Sequence, residues 1–166
     1  MQKHPGKAVS IKHFAANNCE LERNSSSSEI DERALREIYL RGFEIAVKES
    51  QPATVMAAYN KINGIYCTNH RGLLVDILRN EWGFDGMVMS DWDSMKADRS
   101  DAMKAVTGDV LKAHAAQCDL VMPGRADQVE ALEKGVEQGL VQIRDLRRSA
   151  ARILRIIRQN TVLESR

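Results

Sequence analysis

Gly83-Phe84-Asp85-Gly86-Met87-Val88-Met89-Ser90-Asp91-Trp92 reads as a turn, a short apolar run and a polar stop. Met87, Val88 and Met89 form an unbroken apolar triplet, the pattern of a strand covered on both faces, as strands of parallel sheets are. The run ends on a carboxylate, Asp91, and an indole, Trp92. In α/β architectures the carboxyl ends of strands are where ligands bind and catalytic side chains are mounted. Asp91 is therefore the first candidate for chemistry. An aspartate at a strand end can equally cap the helix that follows, and this stretch leaves both readings open.

Working outward, the same alternation recurs. Residues 8–14 are β-like, and a polar loop over 15–28 follows, in which four serines, Ser25 to Ser28, are read as loop and helix cap. From Glu29 the apolar residues Ile30, Leu35, Ile38, Tyr39, Ala46 and Val47 recur at threes and fours until Ser50-Gln51-Pro52 stops the helix. Residues 53–59 read as a second strand and 60–69 as a loop turned by Asn63-Gly64. A helix carrying Leu73, Leu74, Ile77 and Leu78 leads to the strand before Asp91. Residues 95–116 read as mostly helical with a weak point at Gly108, 118–122 as a fourth strand stopped by Pro123-Gly124, and about 126–139 and 143–159 as two helices. The expected class is α/β with a parallel sheet: four consecutive βα units resembling the C-terminal half of a TIM (β/α)8 barrel, which needs eight units and about 250 residues.

Composition narrows the function classes. The chain has 166 residues, one domain's worth, and a formal net charge of +1, which gives no reason to expect nucleic acid or an acidic surface as partner. Cys19, Cys67 and Cys118 are odd in number and widely spaced, which argues against a disulfide framework and fits small buried or half-buried thiols in a reducing compartment. The polar start, Met1 to Lys7, lacks the apolar core of a signal peptide, and no run approaches the ~20 apolar residues of a membrane span. A cytoplasmic location is the expectation for the chain as it stands. Asp91, Asp93, Asp98 and Asp101 superficially suggest calcium, but Met95, Lys96 and Ala102 stand where a calcium loop needs its third ligand, glycine and final glutamate. No metal and no cofactor are expected.

Four segments together carry a resemblance: Lys12-His13-Phe14-Ala15-Ala16-Asn17-Asn18; Val55-Met56-Ala57-Ala58-Tyr59-Asn60-Lys61-Ile62-Asn63-Gly64; Leu78-Arg79-Asn80-Glu81-Trp82-Gly83-Phe84-Asp85-Gly86 leading into Ser90-Asp91-Trp92; and Asp119-Leu120-Val121-Met122-Pro123-Gly124. In this order and spacing the chain resembles the second half of the barrel domain of glycoside hydrolase family 3, β-glucosidase branch, from about Ala8 to Arg158. The resemblance implies a retaining glycosidase with Asp91 as nucleophile and a β-glucoside or short oligosaccharide as substrate. It implies that Lys12 and His13 hydrogen-bond sugar hydroxyls, that Met56 and Tyr59 line the same pocket, and that Trp92 offers the sugar an apolar face. A nearby cation would favour ionised Asp91, and Lys12 is a suitable one. Without the resemblance, His13 reads as a core histidine and Trp92 and Met56 as packing residues. Glu20 and Arg23 are read as an ion pair bracing the loop, and His4, His70 and His114 as surface or packing residues.

The departures matter as much. Phe14 is followed by Ala15-Ala16-Asn17-Asn18, unlike the N-acetylglucosaminidase branch, whose acid/base lies on a barrel loop. In the β-glucosidase branch the acid/base comes from a second domain, and residues 1–166 are read as a partial barrel domain without it. Gln117 stands where the family usually has glycine. Exposed half-barrel edges favour a homo-dimer, so a non-catalytic, self-associating module is the competing reading. An aldolase or phosphate-binding barrel is disfavoured because no glycine-rich phosphate loop follows the last strand.

Overall fold

The computed structural model describes residue 2 and residues 4–95 and 108–161. Strands β1 (Ser10–Phe14), β3 (Thr54–Ala57), β6 (Met87–Trp92) and β7 (Leu120–Met122) form one sheet in the order β1-β3-β6-β7, every pair parallel. Parallel neighbours need crossover connections, and helices supply them. Residues 32–50 run through α1 (Glu32–Ala34), a wider-wound turn (Leu35–Tyr39) and α2 (Arg41–Ser50); a second wide-wound helix spans Gly72–Glu81. Helix α3 (Val110–Ala115) precedes β7, and α4 (Ala126–Glu137) and α5 (Ile143–Asn160) follow it.

The core lies between the sheet and these helices. Val55 and Val88, paired across β3 and β6, are fully buried with Phe14, Leu40, Val47, Leu73, Leu74 and Leu78. The Phe14 ring meets Phe43 and Trp82 edge-on at 5.0 and 5.9 Å. Side chains alternate along a strand, so Met56 and its partner Met89 point to the opposite face, where they are only half-buried. That face leads up to Asp91.

A buried ion network locks β6 to β7 and to the helices behind them. Asp119 Oδ2 accepts from Arg79 Nη2 at 2.8 Å and from Val88 N at 3.0 Å, while Oδ1 accepts from Ser149 Oγ at 3.2 Å and Arg152 Nη1 at 3.0 Å. Asp119 N donates in turn to Val88 O at 2.7 Å. At the base of β6, a Cβ on Gly86 would come within 2.5 Å of Ala53 O, so only glycine lets the two chains approach this closely.

Several boundaries differ from expectation. Ser27–Ser28 is a short strand, β2, parallel to β4 (Lys61–Ile62), which pairs antiparallel with β5 (Ile65–Tyr66). The turn between β4 and β5 places Asn63 and Gly64 at φ 49° and 82°, the left-handed pair that a two-residue hairpin needs. The helix cap is therefore not a serine: Asp31 Oδ1 accepts from Ala34 N at 2.8 Å. Strand β3 ends at Ala57, which leaves Tyr59 beyond it, and β6 runs on through Asp91 and Trp92. Of the helix expected over 95–116, Val110–Ala115 is helical and 96–107 lies outside the described residues, as do Asp98 and Asp101 of the acidic cluster. All three cysteines are free; Cys67 and Cys118 are buried, but Cys19 is exposed.

Candidate active site

Asp91 is the fifth residue of β6 and 8% exposed. Its backbone is held from the side by Ser90, whose hydroxyl accepts from Met122 N at 2.9 Å and donates to Asp91 O at 2.8 Å. Asp93 N donates to Met122 O at 2.8 Å just beyond. These bonds span the place where the β6–β7 register shifts between Met89 and Trp92, and such a bulge re-aims side chains.

The two carboxylate oxygens of Asp91 differ. Oδ1 accepts from Trp92 N at 2.6 Å. Oδ2 is buried and receives no hydrogen bond, although His13 Nε2 stands 3.3 Å away. The two observations are compatible: the contact meets ion-pair distance without hydrogen-bond alignment, and it carries charge attraction only when the imidazole is protonated. A buried carboxylate oxygen left without a donor costs free energy, and such atoms in native structures call for an explanation.

Tyr59 stands on the third side, its hydroxyl donating to Trp92 O at 2.7 Å. Burial, then the negative charge of Asp91 and the closeness of its carboxylate to the hydroxyl, raise the phenol above its ordinary range, with Arg23 opposing them; the directed bond of the hydroxyl goes to Trp92 O. The Arg23 guanidinium lies 4.4 Å from the centre of the Tyr59 ring and is paired with Glu20. The Glu20–Arg23 pair is present as expected, but Arg23 also stacks on the pocket tyrosine. Sequence spacing gives no sign of that contact. Trp92, whose backbone N and O serve Asp91 and Tyr59, is 58% exposed. The pair Arg125–Asp93 closes the rim on the β7 side.

Four of the six expected site residues thus meet: Asp91, His13, Tyr59 and Trp92. Met56 lies on the same sheet face, beside Met89 and two positions below Asp91. Lys12 is exposed and forms no ion pair with Asp91, whereas His13 Nε2 stands 3.3 Å from it; the β1–β3 register shifts between Ile11 and Phe14, so simple alternation does not fix the directions of residues 12 and 13. Of the other histidines, His4 is exposed, His70 Nδ1 accepts from Leu73 N at 3.1 Å, and His114 is buried away from Asp91. No group of three or more metal-ligating side chains exists among the described residues, and no helix among them is long and apolar enough to cross a membrane.

Residues 1–156 match the model of the glycosyl hydrolase family 3 N terminal domain. The chain belongs to glycosyl hydrolase family 3. A beta-glucosidase of Rhizobium radiobacter is 44% identical over 153 residues, covering 92% of this chain and 17% of the relative. An exo-alpha-(1->6)-L-arabinopyranosidase of Bifidobacterium longum is 39% identical over 155 residues, 89% of this chain and 20% of that protein. The structure of beta-glucosidase 3B from Thermotoga neapolitana in complex with glucose superposes with a TM-score of 0.81 at 42% identity, over 92% of this chain and 21% of that one. The chain therefore spans about a fifth of the length of these family 3 relatives.

Proposed function

We propose that the chain carries the nucleophile portion of a retaining, β-glucosidase-type active site within four βα units of a family 3 barrel. The observation that carries this is the Asp91 carboxylate: buried at a strand's carboxyl end, one oxygen fixed by Trp92 N and the other without a donor and facing His13. In this reading Asp91 attacks the anomeric carbon. The new ester bond to Oδ2 forms as the bond to the aglycone oxygen breaks, and that oxygen leaves with the electron pair. Water then attacks the same carbon as the bond to Oδ2 breaks; the electron pair returns to the Asp91 carboxylate, and the proton that the water gives up to solvent balances the one the departed aglycone oxygen takes. Lys12 and His13 hydrogen-bond the sugar hydroxyls, Met56 and Tyr59 line the pocket, and Trp92 stacks on the apolar face of the ring. The general acid, and the rest of the barrel, come from outside residues 1–166. With ordinary leaving groups, lack of an acid removes about two to four orders of magnitude in rate.

The reading is tested by intact mass after incubation with a 2-fluoro glucoside whose leaving group is dinitrophenolate, which departs without protonation. One fluoroglucosyl unit on Asp91, absent in Asp91→Asn, is the expected result. A folded chain that takes no label refutes it.

A second reading, a self-associating module without catalysis, is favoured by the sheet edges. Among the described residues β1 and β7 each pair on one side only, and Met56, Met89 and Leu120 are incompletely covered. A stable two-copy particle that takes no label would replace the first reading with this one.

A further inference from the structure

Asn60 is 2% exposed and follows Tyr59 directly. Both of its amide hydrogens are committed: Nδ2 donates to Ala15 O at 3.2 Å and to Lys61 O at 3.0 Å. Its Oδ1 is buried and has no partner. A buried amide with an unmet acceptor carries a desolvation penalty, set against the two carbonyls, Ala15 O and Lys61 O, that its hydrogens satisfy. What the amide supplies is direction.

Ala15 lies two residues after His13. The carbonyls of this arm are taken one after another: Phe14 O by Ala58 N at 2.7 Å, Ala15 O by Asn60 and by Cys67 Sγ at 3.5 Å, and Ala16 O by Ser28 Oγ at 3.1 Å. Asn60 is thus a side chain of the Tyr59 arm that grips the backbone of the His13 arm. The His13 arm ends on Asp91 and the Tyr59 arm on the carbonyl of the next residue, Trp92.

We propose that Asn60 is a positioning residue that sets His13 against Asp91 by bridging the two arms through the Ala15 carbonyl, so that loss of its amide misplaces His13 without unfolding the chain. This rests on the reading of Asp91 as nucleophile, and the test separates the two. The variants are Asn60→Leu, which removes the amide but keeps the volume, and Asn60→Asp, which keeps the shape but cannot donate.

Crystal structures of the wild-type chain and the variants give the distance from His13 Nε2 to Asp91 Oδ2, and fluoroglucosyl labelling gives the maximal rate and the half-saturating concentration. In the variants the contact, 3.3 Å in the wild type, should be lost. Maximal labelling should fall about 10- to 100-fold, as a misplacement near 1 Å produces, with the half-saturating concentration little changed and both variants still folded at the assay temperature. An intact contact in a folded variant overturns the proposal. So does failure of both variants to fold, since Asn60 would then be a stability residue. If the wild type itself takes no label, the nucleophile reading fails, and the crystallographic distance still decides for or against Asn60.

Discussion

Replacing Asp119 by alanine should be among the costliest single changes in this protein. Its side chain is fully buried and accepts four hydrogen bonds, from Arg79, Val88 N, Ser149 and Arg152. Arg79 is only 6% exposed, so the alanine variant strands a guanidinium with nowhere to find water. Burial already holds the Arg79 pKa at about 10, with repulsion from Arg152 and Arg148 adding to it and Asp119 opposing. Breaking a buried pair from one side costs about 3–5 kcal/mol. A domain of this size has about 8–25 kcal/mol in all. At about 2–4 °C per kcal/mol, a loss near 4 kcal/mol lowers the melting temperature by about 8–16 °C. Arg79→Met should cost less, because Asp119 keeps Arg152, Ser149 and Val88 N. The double variant should be at least about 1 kcal/mol more stable than the sum of the singles, since the stranded charge is gone. Urea unfolding of the four chains gives the cycle. A loss under about 1 kcal/mol for Asp119→Ala, or additive singles, would refute the reasoning.

Two more outcomes follow from local geometry. Gln117 holds φ at 65°, a conformation that costs a residue with a Cβ roughly 1–2 kcal/mol; after the entropy a glycine adds to the unfolded chain, Gln117→Gly should still stabilise by about 0.5 kcal/mol or more, measured as a higher urea midpoint. Burial holds the imidazoles of His70 and His114 below their ordinary 6.5. The unfolded chain therefore takes up protons first as pH falls, so their contribution is intact above about pH 6.5 and lost below it. Urea midpoints should drop from pH 7 to pH 5, and less steeply in the His70→Gln/His114→Gln double variant; equal slopes would count against this.

The parallel sheet was legible because Val55, Ala57 and Val88 are apolar without interruption where strands are covered, and the helices because their apolar residues recur at threes and fours. Asp91 was legible as a strand-end carboxylate. What escaped was set by chain crossings that no local pattern records. Ser27 and Ser28 read as loop because a two-residue strand has no period of its own; it exists because Lys61 and Ile62 come to lie beside it. Lys12 reads as the cation beside Asp91, and His13 only as a donor to the sugar hydroxyls. It is His13 that stands at ion-pair distance from the carboxylate, where the β1–β3 register shifts and no local pattern tells which way a side chain turns.

The same reasoning explains why the second arm of the site was the harder one to read. Tyr59 was chosen by resemblance, yet its surroundings come from three places in the chain: Arg23 over the ring, the Trp92 carbonyl at the hydroxyl, and Asn60 behind it. Arg23 read as one half of a local pair with Glu20, and that pair exists. A guanidinium has a flat face as well as five donors, so filling its donors leaves the face free to lie on a ring. The pairing with Glu20 could therefore be right and still not reveal what Arg23 presses on. Asn60 is the converse case. Its position just before β4, in a stretch that reads as loop, suggests a turn residue, and the unmet buried oxygen marks it as something else. A polar atom that remains unsatisfied at a cost is visible only in three dimensions, and here two of them, on Asp91 and Asn60, lie on the arms of one pocket.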